Sequence, residues 1–231
     1  MRHIEKTPRP FLLFLSVYLL FTYYFTASGL AGDKKAPPYP IHRDITVTVF
    51  WIGEKTRGAR SQSNNTMSAW DKRWVRHYGG VDTPHDRFGY FPSSFFPKEN
   101  PFYAALPYND FRGRRKRSAY RVVYWAKEKK WKPWESMCKN RWIKIMKNGK
   151  TAYAQWEDVG PFLNDDAAYV FGTARPRNPH NHHAGIDVSP AVRDYLHLSD
   201  IDTVNWQFVR ENEVPEGPWK VIVTTSQTCW K

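Results

Sequence analysis

Ala184-Gly-Ile-Asp-Val-Ser-Pro-Ala191 is the stretch that decides the fold, together with Trp156-Glu-Asp-Val-Gly-Pro-Phe162 upstream of it. Each stretch places one carboxylate, Asp187 or Asp158, where a strand gives way to a helix or a turn. A third stretch, Thr203–Val209, alternates apolar and polar residues in the manner of a half-buried strand. We therefore expect both aspartates at the ends of strands in a mainly β structure.

The residues around these stretches predict the local structure more closely. Asn148-Gly149 separates two alternating segments, 141–146 and 151–157, and Asn-Gly between such segments is a strong hairpin signal. Ser189-Pro190 combines a good N-cap with a good first helical residue, so we expect a short helix ending at Leu196. Closing strands are expected at 205–210 and 218–225.

The segment from 53 to about 100 is predicted to be an irregular insertion. Ser68 and Asp71 have the spacing of a capping box, which predicts a helix running to Tyr78. The following segment, 81–100, contains too much Pro and Gly for long regular structure, but it is rich in Phe and Tyr. Such a loop either binds a ligand or seals one end of the fold.

The order Gly-Pro-Phe, then Ile-Asp-Val-Ser-Pro, then Val-x-Trp-x-Phe-Val resembles the double-psi β-barrel domain. That domain is shared by bacterial expansins, barwin, rare lipoprotein A, the lytic transglycosylase A group and expansin-related endoglucanases. The core resemblance covers about 140–209, and Ala104–Asp110 is more faintly similar to rare lipoprotein A. The resemblance implies a mainly β, six-stranded double-psi β-barrel with short helices, with Ile45–Trp51 as its first strand.

The resemblance also implies roles for the two aspartates. The family's characteristic acid corresponds to Asp187 and its companion to Asp158. Expansin-related endoglucanases have a second catalytic aspartate just after the aromatic pair of the first strand, where this chain has Ile52, with Glu54 two residues later. An acid that protonates a glycosidic oxygen needs a raised pKa. The alternative is that both carboxylates only accept backbone hydrogen bonds in their turns.

Flat aromatic rings near these acids are candidates for stacking on sugar rings. Two polar residues shortly after Leu106-Pro107, namely Asn109 and Asp110, are further candidates for substrate binding in a groove. The predicted substrate-binding residues are Trp51, Tyr108, Asn109, Asp110, Trp156 and Tyr169.

The N-terminus has the features of an export signal. Basic residues precede an apolar run, 11–25, which is followed by small residues up to Gly32. The run is shorter than the roughly 20 residues that span a bilayer. We predict a signal peptide over 1–31, or alternatively an uncleaved anchor, then a linker over 32–43 and the barrel domain over 44–231. A periplasmic or secreted location follows.

The charge balance favours polyanionic partners. The chain carries a formal net charge of +13 at pH 7, and Arg112–Arg117 concentrates five of the basic residues. For an exported protein we expect a cell-wall polysaccharide or another anionic polymer as partner, and no nucleic acid. Membrane attachment is expected only through the N-terminal segment, and the protein is expected to be a monomer.

The chain has two cysteines, Cys138 and Cys229. Export permits a disulfide between them, which is our prediction, and two separate thiols are the alternative. They are too few for a four-ligand structural metal site. His180, His182 and His183 lie close together on a loop, but three imidazoles so close in sequence rarely converge on one ion. We therefore expect neither a metal nor a cofactor.

Together these features predict an exported protein that cleaves or loosens peptidoglycan-type glycan, with Asp187 as general acid. The enzyme class would be a lytic transglycosylase or a glycoside hydrolase. A wall-binding, expansin-like protein without catalysis is the alternative. A protein-interaction role is a third option, because one fold supports many functions.

Overall fold

Residues 39–55 and 64–230 are described by the computed structural model. The expected signal segment, most of the linker and the part of the insertion from 56 to 63 lie outside the described residues. Within the described part, no helix is both long enough and apolar enough to span a bilayer.

Six strands form a closed barrel. In chain order they are β1 His42–Val49, β2 Tyr103–Leu106, β3 Arg141–Lys147, β4 Lys150–Val159, β5 Ile186–Val188 and β6 Ile201–Phe208. Around the barrel the order is β1, β6, β3, β4, β2, β5 and back to β1. The pairs β1–β5 and β2–β4 are parallel and the other four are antiparallel. The prediction of a mainly β, six-stranded barrel with short helices is confirmed.

The hairpin between β3 and β4 forms at the predicted dipeptide. Asn148 and Gly149 both adopt positive φ, at 47° and 78°, and Lys147 pairs with Lys150 across the turn. This is the backbone that a two-residue hairpin of the favoured twist requires, and Asn and Gly accept it most readily. The turn therefore fixes the register of β4, the strand that ends with Asp158.

Short helices connect the strands. They are α1 Trp74–Tyr78, α2 Ala119–Val122, α3 Ala167–Val170 and α4 Pro190–Leu196, with 3-10 turns at Glu211–Glu213 and Pro218–Lys220. Helix α4 has the predicted bounds, and its cap is as expected, because Ser189 Oγ accepts a hydrogen bond from the Val192 amide at 3.3 Å. Two small hairpins lie outside the barrel, Arg87–Phe88 with Phe91–Pro92 and Phe111–Arg112 with Arg114–Arg115.

The helix expected from Ser68 is shorter than predicted. Ser68 Oγ accepts hydrogen bonds from the amides of Trp70 and Asp71, but helix α1 begins only at Trp74. The reason is that the Asp71 backbone pairs with Cys229 in the C-terminal tail, which holds this segment extended. The helix end is as expected, since Gly79 has φ of 114°.

The strand expected over 218–225 does not form. Pro218–Lys220 is a 3-10 turn, and no strand follows it. Instead, the Gln155 side chain accepts a hydrogen bond from the Thr224 amide at 2.8 Å and donates one to its carbonyl at 2.9 Å. The side chain of a barrel strand thus replaces a neighbouring strand as the partner of this tail.

The predicted disulfide does not form. Cys138 and Cys229 are not bridged. Cys138 is fully buried within the main apolar core, whereas the Cys229 sulfur lies at the surface beside Arg73, whose Nη2 donates to it at 3.4 Å. The two side chains occupy different environments, so the expected link between the start of β3 and the tail is absent.

Aromatic side chains fill the barrel, and the indole N–H groups among them are hydrogen-bonded inside the core. Trp156 and Trp206 are fully buried. The Trp156 indole donates to the Asp158 carbonyl at 2.7 Å, and the Trp206 indole donates to the Tyr169 hydroxyl at 2.7 Å. Buried indole N–H groups with acceptors are compatible with a dry core. Trp156 is therefore a core residue.

Trp156→Ala should lower the free energy of unfolding by about 3–5 kcal/mol, because it leaves a large cavity in the barrel. Trp134→Ala is the matched control, since Trp134 is 53% exposed. Urea unfolding followed by circular dichroism measures both. Equal, small effects of the two substitutions would contradict the core position of Trp156.

Candidate functional site

A row of four side chains crosses the outer face of the barrel. Thr48 in β1 pairs with Asp187 in β5, Asp187 pairs with Ala105 in β2, and Ala105 pairs with Asp158 in β4. At about 4.8 Å per strand, the Cα atoms of the two aspartates are roughly 10 Å apart, with only the small Ala105 between them. The residues that alternate with this row belong to the main core, namely Val47, Ala104, Ile186 and Val188.

Both aspartates line one groove of about 390 Å³. Its walls come from β1, from the turn after β4, from the insertion and from the loop before β5. The lining includes Glu54, Asn65, Phe162, Asn164 and Asn181 in addition to the row itself. Carboxylates, amides and one exposed ring are side chains that can bind the hydroxyl groups and flat faces of a sugar.

Asp187 is held in position by two neighbours. The Thr48 hydroxyl donates a hydrogen bond to Asp187 Oδ1. On the other side, a Cβ at Gly160 would lie 3.2 Å from Asp187 Oδ2, so any larger residue would crowd the carboxylate. Burial raises the pKa of Asp187 to about 7, the hydrogen bond from Thr48 opposes this rise, and the negative charges of Asp158 and Glu54 add to it.

Asp158 is anchored by the insertion. The Ala69 amide donates to Asp158 Oδ1 at 2.7 Å, and the side chain is almost fully buried. Burial raises the pKa of Asp158 to about 7, against the lowering effect of the Ala69 hydrogen bond. Two carboxyl groups with raised pKa in one groove can hold a proton near neutral pH, which is what a general acid requires.

Glu54 is a third carboxylate in the groove. It accepts a hydrogen bond from Asn65 Nδ2 at 2.8 Å, and burial raises its pKa. In the sequence, Glu54 lies two residues after Ile52, the position that corresponds to the second catalytic aspartate of expansin-related endoglucanases. The turn after β1 positions Glu54. Ile52 and Gly53 are buried in this turn, and Glu54 lines the groove.

The predicted aromatic platform needs correction. Tyr108, Trp156 and Tyr169 are each at most 1% exposed, so none of them can stack on a ligand. Trp51 is partly buried and is not part of the groove lining. The groove lining does contain the exposed ring of Phe162, at 51%, together with the buried ring of Phe50.

The two polar candidates after β2 serve the fold. Asn109 Oδ1 accepts hydrogen bonds from the Trp70 indole and the Phe111 amide. Asp110 is fully buried and accepts from the Ser136 hydroxyl and the Met137 amide, both at 2.7 Å. Neither is part of the groove lining, so their predicted role in substrate binding is not supported.

The histidine loop borders the groove but does not form a metal site. Asn181 lines the groove, and the ring of His180 packs on Phe162 at 5.2 Å between centroids. His183 Nδ1 lies 2.9 Å from the Asn178 carbonyl. Among the residues that the structure describes, His180, His182 and His183 are not a group that could hold an ion.

Several groove residues carry no functional signal in the sequence. The alternation of Ile45–Trp51 puts Thr48 opposite the core, but it does not indicate a role for it. Gly160 indicates only a turn, and Asn65 and Asn181 lie in loops without a periodic pattern.

No known family model matches the chain, and no curated protein is significantly similar to it.

Replacing Asp187 should change how stability depends on pH. Asp187 keeps its proton up to about pH 7 in the folded state, whereas an ordinary Asp in the unfolded chain loses it near pH 3.9. Stability is therefore lost as the pH rises through this window, and no further loss follows above it. Asp187→Asn should stabilise the protein by about 1–3 kcal/mol at pH 8, after allowance for partial exposure, and have little effect at pH 3.

Urea unfolding at the two pH values measures this difference. Asp200→Asn is the control, because the Asp200 side chain is 90% exposed and lies outside the groove. A stabilisation of Asp187→Asn that is the same at pH 3 and pH 8 would show that folding does not raise the pKa of this carboxyl group.

Proposed function

We propose that this protein is an exported, periplasmic or secreted, wall-glycan-acting enzyme of the double-psi β-barrel type, most like a lytic transglycosylase. One observation carries the proposal: Asp187 and Asp158, both with pKa near 7, line the same groove. The six-stranded barrel with two parallel strand pairs supports the family resemblance, although no family model matches. The groove has a volume of about 390 Å³ and is lined by carboxylates and amides, which can bind the hydroxyl groups of a sugar.

Asp187 acts as the acid in this mechanism. Its proton passes to the glycosidic oxygen as the bond between that oxygen and the anomeric carbon breaks. The resulting carboxylate then takes the proton of a hydroxyl group on the same sugar, and that hydroxyl oxygen forms the new bond to the anomeric carbon. Water is not consumed. The negative charge of Asp158, once ionised, favours the oxocarbenium-like transition state.

The Thr48 hydroxyl and Gly160 support this cycle. Thr48 donates to Asp187 Oδ1, so the proton that leaves is carried by Oδ2, the oxygen that faces Gly160. The absence of a side chain at Gly160 leaves that oxygen accessible. Glu54 adds negative charge that keeps Asp187 protonated in the resting enzyme.

Asp187→Asn should reduce the release of soluble fragments from purified peptidoglycan by about 10²–10⁴-fold, since it removes the proton donor. Asp158→Asn should keep some activity but shift the alkaline limb of the pH profile to lower pH, because removing this neighbouring charge lowers the pKa of Asp187. Mass spectrometry of released sugars gives both readouts, with Asp200→Asn as control. Equal release by Asp187→Asn and the unchanged protein would exclude the mechanism.

A second candidate is a wall-binding or loosening protein without bond cleavage. It is favoured by the net charge of +13 and by the exposed side chains of Arg112, Arg114 and Arg117. Arg115 belongs to the fold, since its guanidinium donates to the carbonyls of Lys132 and Glu135. A surface of this kind attracts anionic polymers in a salt-dependent way.

Replacing Arg112, Arg114 and Arg117 by Gln should weaken co-sedimentation with insoluble wall at low salt, and the difference should vanish near 1 M salt. A matched control removes the same charge at the exposed Lys127, Lys130 and Lys150. A larger loss for the arginine variant supports docking through that loop. Equal losses would assign the attraction to net charge alone.

A further inference from the structure

Three side chains with metal-binding chemistry meet away from the groove. Asp71 comes from the segment that leads into α1, His77 lies in the last turn of α1, and Cys229 comes from the C-terminal tail. One carboxylate oxygen, one ring nitrogen and the sulfur all lie within 4.8 Å of one another. None of the three lines the groove.

The backbone holds this cluster in place. The Cys229 amide donates to the Trp70 carbonyl at 2.7 Å, and the Lys72 amide donates to the Cys229 carbonyl at 2.8 Å. These bonds form a bridge between Asp71 and Cys229. A cysteine whose backbone is held by two hydrogen bonds beside a hydrogen-bonded carboxylate needs little reorganisation to bind an ion.

The arrangement has a buried side and an accessible side. Asp71 is 1% exposed, whereas the His77 side chain is 32% exposed and Cys229 is partly exposed. Asp71 Oδ1 accepts from the Arg73 amide at 2.8 Å, and His77 Nδ1 lies 2.5 Å from Asp71 Oδ2. A carboxyl group buried this deeply needs a cationic or hydrogen-bonding partner, and the two partly exposed side chains, His77 and Cys229, lie on its solvent side.

We propose that Asp71, His77 and Cys229 bind a zinc ion, with the fourth position held by water or an anionic group. Thiolate, imidazole and carboxylate are the three ligand types that zinc takes, and three protein ligands with one open position is a known zinc arrangement. This site goes beyond the proposed function and does not depend on it.

The geometry needs only a small adjustment. Bonds of about 2.0–2.3 Å at tetrahedral angles separate neighbouring ligand atoms by roughly 3.3–3.7 Å. The His77–Asp71 pair must therefore open slightly, and the sulfur must close on the ion. Zinc takes the place of the proton between His77 Nδ1 and Asp71 Oδ2; the neutral ring then carries its proton on Nε2, and the thiol proton is released to solvent.

The neighbouring charges fit an ion with an anionic fourth ligand. Arg73 Nη2 donates to the Cys229 sulfur, and such a bond can persist to a metal-bound thiolate. His77 lies in the wall of a pocket of about 510 Å³ with Arg76, Lys98 and Glu99. Glu99 is 6% exposed, and its Oε2 has no hydrogen-bond partner within the described structure.

Cobalt reports directly on this site because a thiolate ligand gives Co²⁺ a charge-transfer band in the near ultraviolet. The full chain, kept reduced, is titrated with Co²⁺ and then with Zn²⁺ in competition. We expect one ion per chain, a thiolate band, and displacement by zinc. Cys229→Ser should remove the band, and His77→Gln should weaken binding by more than the roughly 10–100-fold that loss of a ligand's hydrogen-bonding partner costs, because it removes a ligand.

Matched controls separate this site from other donors. Cys138→Ala removes the other thiol, and His182→Gln with His183→Gln removes exposed imidazoles of the histidine loop; both variants should bind as the unchanged protein does. Zinc should also raise the melting temperature of the unchanged protein and the controls, but not that of Cys229→Ser. Unaltered binding by His77→Gln, or loss of the band in Cys138→Ala, would overturn the proposal.

Discussion

The burial of two carboxyl groups in one row of paired strands is the constraint on which the arrangement of the groove depends. Strand pairing sets Asp187 and Asp158 on either side of Ala105. Ionising both there would place two negative charges in a poorly solvated wall, so each has a raised pKa. The surrounding residues follow from this constraint. Thr48 and the Ala69 amide supply hydrogen bonds, while Ala105 and Gly160 are small enough to leave the oxygens room.

A bulge in β4 directs three successive side chains to three different places. Ala104 pairs with Trp156 and Ala105 with Asp158, so one extra residue, Glu157, is inserted between them. Trp156 enters the core, Asp158 faces the groove, and Glu157 forms a buried ion pair with Lys139 at 2.6 Å. Bulges often reorient side chains next to functional sites, and here the bulge allows the core and the groove to be adjacent in sequence.

The sequence was informative wherever local chemistry decides the backbone. The Asn148-Gly149 turn, the Ser189-Pro190 helix start and the alternating barrel strands were predicted because each depends on residues a few positions apart. The sequence also identified both aspartates of the groove. It did not distinguish core aromatics such as Trp156 and Tyr169 from exposed ones such as Phe162, because burial depends on which strands pair. The extended segment before α1 likewise depends on a tail more than 150 residues away.

That tail reaches the groove through one short segment. Cys229 pairs with the backbone on either side of Asp71, and the Trp230 indole donates to the Ala69 carbonyl, while the Ala69 amide donates to Asp158. The last residues of the chain therefore act as a brace behind one of the two acids. Removing Cys229 and Trp230 would therefore disturb the shape of the groove without touching any residue inside it.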